Sequence, residues 1–113
     1  MYTYYAKVLN WIDGDTLLVE IDLGFYCKRE ERVRLARINA PEMKSPIAFQ
    51  RRKARHARMV GKKFCPEGSI VTIQTKKNSK DMYARYLSEV FFQGKNLSDF
   101  LIEKKVVKVF SLG

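Results

Sequence analysis

Apolar and polar residues alternate along several short stretches of this chain, which is the pattern of half-buried β-strands. Turn signals such as Asp13-Gly14-Asp15 and Gln93-Gly94-Lys95-Asn96 separate these stretches, because their residue types favour tight turns. We therefore predict strands over residues 2–11, 17–21, 32–38, 69–75, 85–92 and 106–110, with polar connections over 23–31 and 76–81.

Two segments change from this alternation to the spacing of a helix. The first covers residues 47–64 and the second, shorter one covers 97–103. The first has small or apolar residues on one helix face, namely Ala54, Ala57, Gly61 and Phe64. The order of elements predicts an α+β, mainly β fold in a single domain over 1–113. Short strands in a small chain favour a closed or partly closed barrel, because closure leaves no exposed sheet edge.

The charge balance narrows the classes of partner. Lysine and arginine total 22 against 12 aspartates and glutamates, which gives a net charge of +10 and an isoelectric point near 9.8. A small domain with this excess is typical of proteins that bind a polyanion such as nucleic acid, and less often an acidic membrane surface. The alternative is that the lysines only aid solubility.

The few cysteines and histidines exclude one common type of metal site. Cys27 and Cys65 are far apart in sequence and His56 is the single histidine, so a zinc site of cysteine and histidine is not expected. The N-terminus has neither the basic region nor the apolar region of a signal peptide. No apolar run reaches the length of a membrane span. We expect a cytoplasmic protein with no membrane segment.

Oxygen-bearing side chains flank the first turn. Asp13 and Asp15 enclose Gly14 there. One interpretation is that both aspartates only shape the turn, for which this residue type is favoured. The other is a site for a hard cation, because Ca²⁺ takes oxygen ligands on flexible loops.

A second group of candidates combines two arginines with a carboxylate. Arg34 lies within an apolar strand pattern, and its guanidinium suits a bidentate contact with a phosphate. The alternative is that Arg34 lies at a strand edge with its guanidinium in water. Glu42 follows Pro41 and is a candidate general base, or else a surface residue that aids solubility. Arg85 begins a later strand, and Tyr83 nearby is suited to stacking on a base or donating to a phosphate.

The first predicted helix carries many cations, among them Arg51 and Arg55. Two interpretations are equally open. The cations form a solvated helix face, or they make sequence-independent, salt-sensitive contacts with a nucleic acid backbone. With Tyr83 and Lys80, these two arginines form our predicted substrate-binding set.

Three short motifs in series carry a resemblance to a known family. They are Ile12-Asp13-Gly14-Asp15-Thr16, the segment from Arg34-Leu35 to Ile38-Asn39-Ala40-Pro41-Glu42, and Asp81-x-Tyr83-x-Arg85. In order and spacing they resemble the staphylococcal nuclease family, over nearly the whole chain. The resemblance implies an OB-like five-stranded barrel with helices, and a Ca²⁺-dependent phosphodiesterase that acts on DNA and RNA.

The same resemblance implies roles for individual residues. Arg34 and Arg85 match the arginines that bind the scissile phosphate, and Glu42 matches the proposed general base. Asp15 matches a metal ligand. Asn39 stands where the family usually has a second ligand aspartate. Ala40 stands in place of a threonine, but its backbone carbonyl is still available as a ligand.

Two departures from the family change the expectation. Asn39 keeps a carbonyl oxygen but lacks a negative charge, so we expect weaker Ca²⁺ binding. The sequence ends at Gly113, where the family continues into another helix, and we expect a second copy or another protein to take that helix's place.

Two functions from different classes follow. The first is a metal-dependent nuclease without sequence specificity, acting on single-stranded DNA or RNA. The second is a weak or inactive relative that binds nucleic acid or a protein, and Asn39 is the residue that favours it. A basic adaptor is supported by charge alone.

Overall fold

A computed structural model of the protein describes residues 2–80 and 86–109, and the side chains of all of these except 76–80. The strands are β1 (Tyr2–Asp13), β2 (Thr16–Asp22), β3 (Lys28–Leu35), β4 (Ile38–Asn39), β5 (Ile70–Lys80), β6 (Tyr86–Phe92), β7 (Lys95–Asn96) and β8 (Lys108–Val109). The helices are α1 (Ala48–Phe64) and α2 (Leu97–Glu103).

Five strands form a closed barrel. They pair in the order β3-β2-β1-β5-β6, and β3 then pairs with β6 in parallel, from Val33 opposite Tyr86 to Leu35 opposite Ser88. β7 extends the edge beside β6, while β4 and β8 form a separate two-stranded ribbon. The predicted mainly β, five-stranded barrel with one longer and one short helix is therefore confirmed.

The alternation of apolar residues becomes the inside of the barrel. Val8, Leu17, Val33, Ile73 and Val90 come from five different strands, and each is at most 1% exposed. Burial of such side chains stabilises each by roughly 1.5–3 kcal/mol relative to exposure. This shared core holds the ends of β1, β2 and β3 in fixed relation.

Helix α1 is seated against β1 by one very close contact. A Cβ added at Gly61 would lie 2.6 Å from the ring of Trp11, which is fully buried. The Trp11 indole N–H also donates to the Cys65 carbonyl just beyond the helix, at 2.8 Å. Because a rigid ring cannot move aside as a flexible side chain can, this contact sets how closely α1 approaches the barrel.

Three predicted boundaries are wrong. β3 begins at Lys28 instead of residue 32, because pairing with β2 continues to Asp22 opposite Lys28 although this half of the hairpin is polar and exposed. β5 continues to Lys80, so 76–80 is strand and not loop. The last strand is only Lys108–Val109, and residue 110 lies outside the described part of the chain.

The strand predicted over residues 32–38 is also interrupted. Arg37 has φ of 69°, in the left-handed region, so β3 ends at Leu35 and a turn follows. The turn lets Ile38 reach the core, where it is fully buried like Leu35. In an unbroken strand these two side chains would point to opposite faces of the sheet. Among the described residues, no helix has the length and apolar character needed to cross a membrane.

Candidate active site

The turn between β1 and β2 is packed against two other parts of the chain. A Cβ on Gly14 would meet the Cβ of Ala57 in α1 at 2.8 Å and that of Ala40 at 3.0 Å. Gly14 is not at positive φ, so close approach, and not turn conformation, requires glycine here. The packing brings Asp15 beside the residues that follow β4.

Asp15 joins three segments through hydrogen bonds. Its Oδ1 accepts from the Thr16 hydroxyl at 3.0 Å, and its Oδ2 accepts from the Ala40 N–H at 2.8 Å. Its backbone carbonyl accepts from the Leu35 N–H at 2.8 Å. The residue is only 5% exposed, so these bonds hold the carboxylate in one orientation.

Arg34 projects from β3 into the same place. Its Nη1 donates to the Leu35 carbonyl at 2.9 Å and lies 3.3 Å from Asp15 Oδ2. Its Nη2 donates to Asn39 Oδ1 at 3.3 Å. The side chains of Arg34 and Asp15 are 13% and 8% exposed. The guanidinium is therefore held in position before any ligand arrives.

These groups line one open pocket of about 580 Å³, together with the exposed Glu42. The predicted residues in it are Asp15, Arg34, Asn39, Ala40 and Glu42. Residues from the β1–β2 turn, from β3 and from the segment after β4 thus meet, as the motif order suggested. The pocket combines a buried carboxylate, a fixed guanidinium and an exposed carboxylate.

The oxygen donors in the pocket fit a hard cation in ligand type. Asp15 offers a carboxylate, Asn39 an amide oxygen and Ala40 a backbone carbonyl, which are the ligands that Ca²⁺ takes. Only one of the three carries a negative charge. In the described ranges, no cluster of three or more histidine, cysteine, aspartate or glutamate side chains is suited to a metal. The residues fit Ca²⁺ with a low ligand charge.

The turn that leads from Arg34 to Asn39 is held by a network that the sequence did not indicate. The Arg37 guanidinium pairs with Glu89 through Nε at 2.6 Å and Nη2 at 3.1 Å. Its Nη1 donates to Asp99 at 2.9 Å and its Nη2 to Asn96 at 3.3 Å. The hydrogen bonds that Arg37 donates to Glu89 and then to Asp99 raise the pKa of Arg37. The network fastens the β3–β4 turn to β6 and α2.

This network makes a pH-dependent contribution to stability. Burial of Glu89 opposes its ionisation, but hydrogen bonds from Arg37 and Asn96 and the charge of Arg37 together lower its pKa. Because the pKa of Glu89 is lower in the folded protein than its ordinary value of 4.5, the ionised carboxylate stabilises the fold above pH 4.5. This contribution is lost as the pH falls through the pKa of the folded state.

We expect Arg37→Ala to lower the free energy of unfolding by about 1–2 kcal/mol at pH 7. The charged network is lost, while alanine at position 37 must still adopt the unfavourable left-handed conformation. Arg37→Gly should lose about 1 kcal/mol less, because glycine adopts this φ freely. Urea unfolding at pH 7 and pH 3 measures both effects. The difference between wild type and Arg37→Ala should shrink at pH 3, and an equal difference at both pH values would contradict the role of Glu89.

The structure separates the predicted substrate-binding residues. Arg51 donates from Nη1 to the Ser45 carbonyl at 2.8 Å and so braces the loop before α1. Arg55 lies with Arg58, Lys62 and Lys63 on a different flank of the helix and does not line the pocket, so its contact with a substrate stays a prediction. The predictions for Tyr83, Arg85 and the Lys80 side chain lie outside the described residues.

Comparison with known proteins agrees with the barrel. The chain belongs to the family described as staphylococcal nuclease homologue, whose sequence model matches residues 32–110. This range includes Arg34, Asn39 and Glu42, while Asp15 lies before it.

One curated relative has a named activity. The chain is 26% identical over 98 residues to "Endonuclease YncB" of Bacillus subtilis (strain 168). The alignment covers 87% of this chain and 44% of that protein, so the chain spans less than half the length of this relative.

Proposed function

We propose that this protein is a nuclease that hydrolyses phosphodiester bonds in DNA, RNA or both, without sequence specificity and with Ca²⁺ as cofactor. The meeting of Asp15, Arg34 and Glu42 in one pocket is the observation that carries the proposal. Membership of the nuclease family and the likeness to an endonuclease support it.

Arg34 would bind the scissile phosphate. Its guanidinium presents a rigid fork of N–H groups that matches two phosphate oxygens. Contacts with Asp15, the Leu35 carbonyl and Asn39 already hold that fork. Charge accumulates on the phosphate oxygens in the transition state, and prearranged donors stabilise that charge without reorganising.

Glu42 would orient the attacking water and accept its proton on the carboxylate. The side chain is exposed at the rim of the pocket, where a water has access to it. A positioned general base typically accelerates such a step by about 10²–10⁴-fold. Arg85, by resemblance to the family, is the second arginine of this proposal.

Ca²⁺ would be held by Asp15, Asn39 and the Ala40 carbonyl. Once bound, the cation supplies positive charge that polarises the phosphate oxygen and offsets the developing negative charge. The low ligand charge favours weak cation binding. This same feature favours the second candidate function, a module that binds nucleic acid or a protein and cleaves little or nothing.

Cleavage of labelled single-stranded DNA with and without Ca²⁺ separates the two functions, and Asn39→Asp sharpens the test. We expect the parent to cleave only with Ca²⁺. The variant should reach half-maximal rate at a Ca²⁺ concentration about ten times lower, because a second carboxylate adds ligand charge. Asn10→Asp adds the same charge on β1, outside the pocket, and is the control.

Each outcome of that experiment has one meaning. Cation-dependent cleavage by the parent supports the nuclease. Cleavage by the Asn39→Asp protein alone would favour the binding module. Equal Ca²⁺ dependence of the Asn39→Asp and Asn10→Asp proteins would show that Asn39 is not a ligand of the cation.

A further inference from the structure

A second groove of about 710 Å³ adjoins the candidate active site. One wall is the N-terminal half of α1, which contributes Gln50, Lys53 and His56, and the other is the segment 104–108 that follows α2. We call it the α1–β8 groove. It shares residues 39–42 with the active-site pocket, so the two spaces are continuous along that segment.

Backbone pairing ties this groove to the active site. β8 pairs with β4, so that Lys108 lies opposite Asn39 and Val109 opposite Ile38. Because Ile38 is fully buried in the core, the ribbon is anchored. Lys108 is therefore held one strand away from the residue proposed as a cation ligand.

The charged side chains along the groove are mainly positive. Four lysines line it, and Glu42, at the end shared with the active site, is its single acidic residue among those described. The lysines are Lys53, Lys104, Lys105 and Lys108. His56 lies among them.

These lysines differ from two paired lysines elsewhere on the surface. Lys62 pairs with Glu67 at 3.1 Å and Lys95 with Glu103 at 3.4 Å. In the part of the chain that the structure describes, no carboxylate forms a salt bridge with any of the four groove lysines. Their exposed charges are thus available to anions, and Lys53 and Lys104 instead lie over aromatic rings, at 4.5 Å and 5.6 Å.

Apolar side chains provide a second kind of surface in the groove. Ile47 is 58% exposed at its edge, and Val106 and Val107 are half-buried along its other wall. Bases of a single strand can lie against such side chains, whereas the bases of a duplex are stacked inside it. Cations for the phosphates and an apolar wall for the bases favour a single strand.

We propose that the α1–β8 groove binds the single-stranded nucleic acid that extends from the scissile phosphate. This inference rests on the proposed nuclease function for its choice of ligand. The lysines contact successive phosphates, and the apolar wall contacts sugars and bases. The groove contributes affinity that increases with substrate length and carries no sequence preference.

The test measures binding and cleavage separately. Fluorescence anisotropy of labelled 4-mer and 12-mer single-stranded DNA in EDTA gives affinity with no Ca²⁺ available. The groove variant is Lys53→Gln with Lys104→Gln and Lys108→Gln. The matched control is Arg52→Gln with Lys62→Gln and Lys63→Gln, which removes the same charge from parts of α1 that do not line the groove.

The groove variant should bind the 12-mer at least about ten times more weakly than the parent. Its slope of log affinity against log salt should fall by about 2, because each phosphate contact contributes about 0.7 for single strands. The control should stay within about twofold of the parent, since none of its three residues lines the groove. Circular dichroism verifies that both proteins remain folded.

Three results would contradict the proposed binding in the groove. They are unchanged 12-mer affinity in the groove variant, an equal loss of affinity in the control, and tighter binding of a duplex than of the single strand. Cleavage by the parent with Ca²⁺ is scored independently. If the parent never cleaves but the groove variant loses affinity, the nuclease proposal is wrong and the proposed binding in the groove is supported. If the parent cleaves and the groove variant binds normally, only the groove fails.

Discussion

Arg34→Ala is expected to slow cleavage of single-stranded DNA by about 10²–10³-fold, the usual effect of removing one prearranged donor to a developing anion. The reason is local. Arg34 is fixed by Asp15, the Leu35 carbonyl and Asn39, so its N–H groups need no reorganisation to meet the phosphate. Initial rates at saturating Ca²⁺ measure the effect.

Removal of Arg34 also leaves a buried carboxylate with fewer partners. Asp15 keeps its bonds from the Thr16 hydroxyl and the Ala40 N–H, so we expect a folded but less stable variant. Arg34→Lys keeps the charge and loses the planar fork, and should fall between wild type and Arg34→Ala. A folded Arg34→Ala protein that cleaves single-stranded DNA at the wild-type rate would show that Arg34 has no role in the reaction.

Glu42→Gln is expected to slow cleavage by about 10²–10⁴-fold, because glutamine keeps the shape of the side chain but cannot accept the proton of the attacking water. Glu42 is exposed, so the free energy of unfolding should change little. The turnover number at saturating substrate is the measurement. Thermal unfolding of the same preparation confirms that the fold is intact.

Glu30→Gln is the matched control for this substitution. Glu30 is also exposed, lies on β3, and does not line the pocket, so its variant should cleave at the parental rate. A Glu42→Gln protein that cleaves as fast as Glu30→Gln would show that another group takes the proton.

The barrel was largely predictable because its strands alternate. Buried apolar residues recur at period two within single strands, as in the pairs Leu17 and Val19, Val33 and Leu35, and Val71 and Ile73. The half of β3 from Lys28 to Glu31 was missed because it carries only charged residues. Its partner strand β2, not its own pattern, makes it extended.

The motifs indicated which candidate residues to consider, but not how the fold arranges them in the pocket. The motifs supplied Asp15, Arg34 and Glu42 in order. They gave no sign that Gly14 is needed for close packing against Ala57. A run of cations on a helix does not say which flank of that helix faces the pocket, and only the structure places Arg55 on another flank.

Arg37 illustrates what local pattern lacks. In sequence it continues a strand, but in the structure it has φ of 69° and pairs with Glu89 and Asp99, which are 52 and 62 residues away. A left-handed arginine costs about 1–2 kcal/mol in backbone energy, and these distant partners offset it. No local signal could reveal such compensation.

By itself, the sequence determined the strand and helix periodicities, the excess of positive charge and the residue types of the candidate site, since these depend on neighbouring residues and composition. The tertiary structure decided which of these groups meet. Closure of β3 on β6, the seat of α1 on Trp11 and the pairing of Lys108 with Asn39 all join residues far apart in the chain. Such contacts depend on how whole elements pack, because packing of a shared core selects one arrangement among many that local preferences allow.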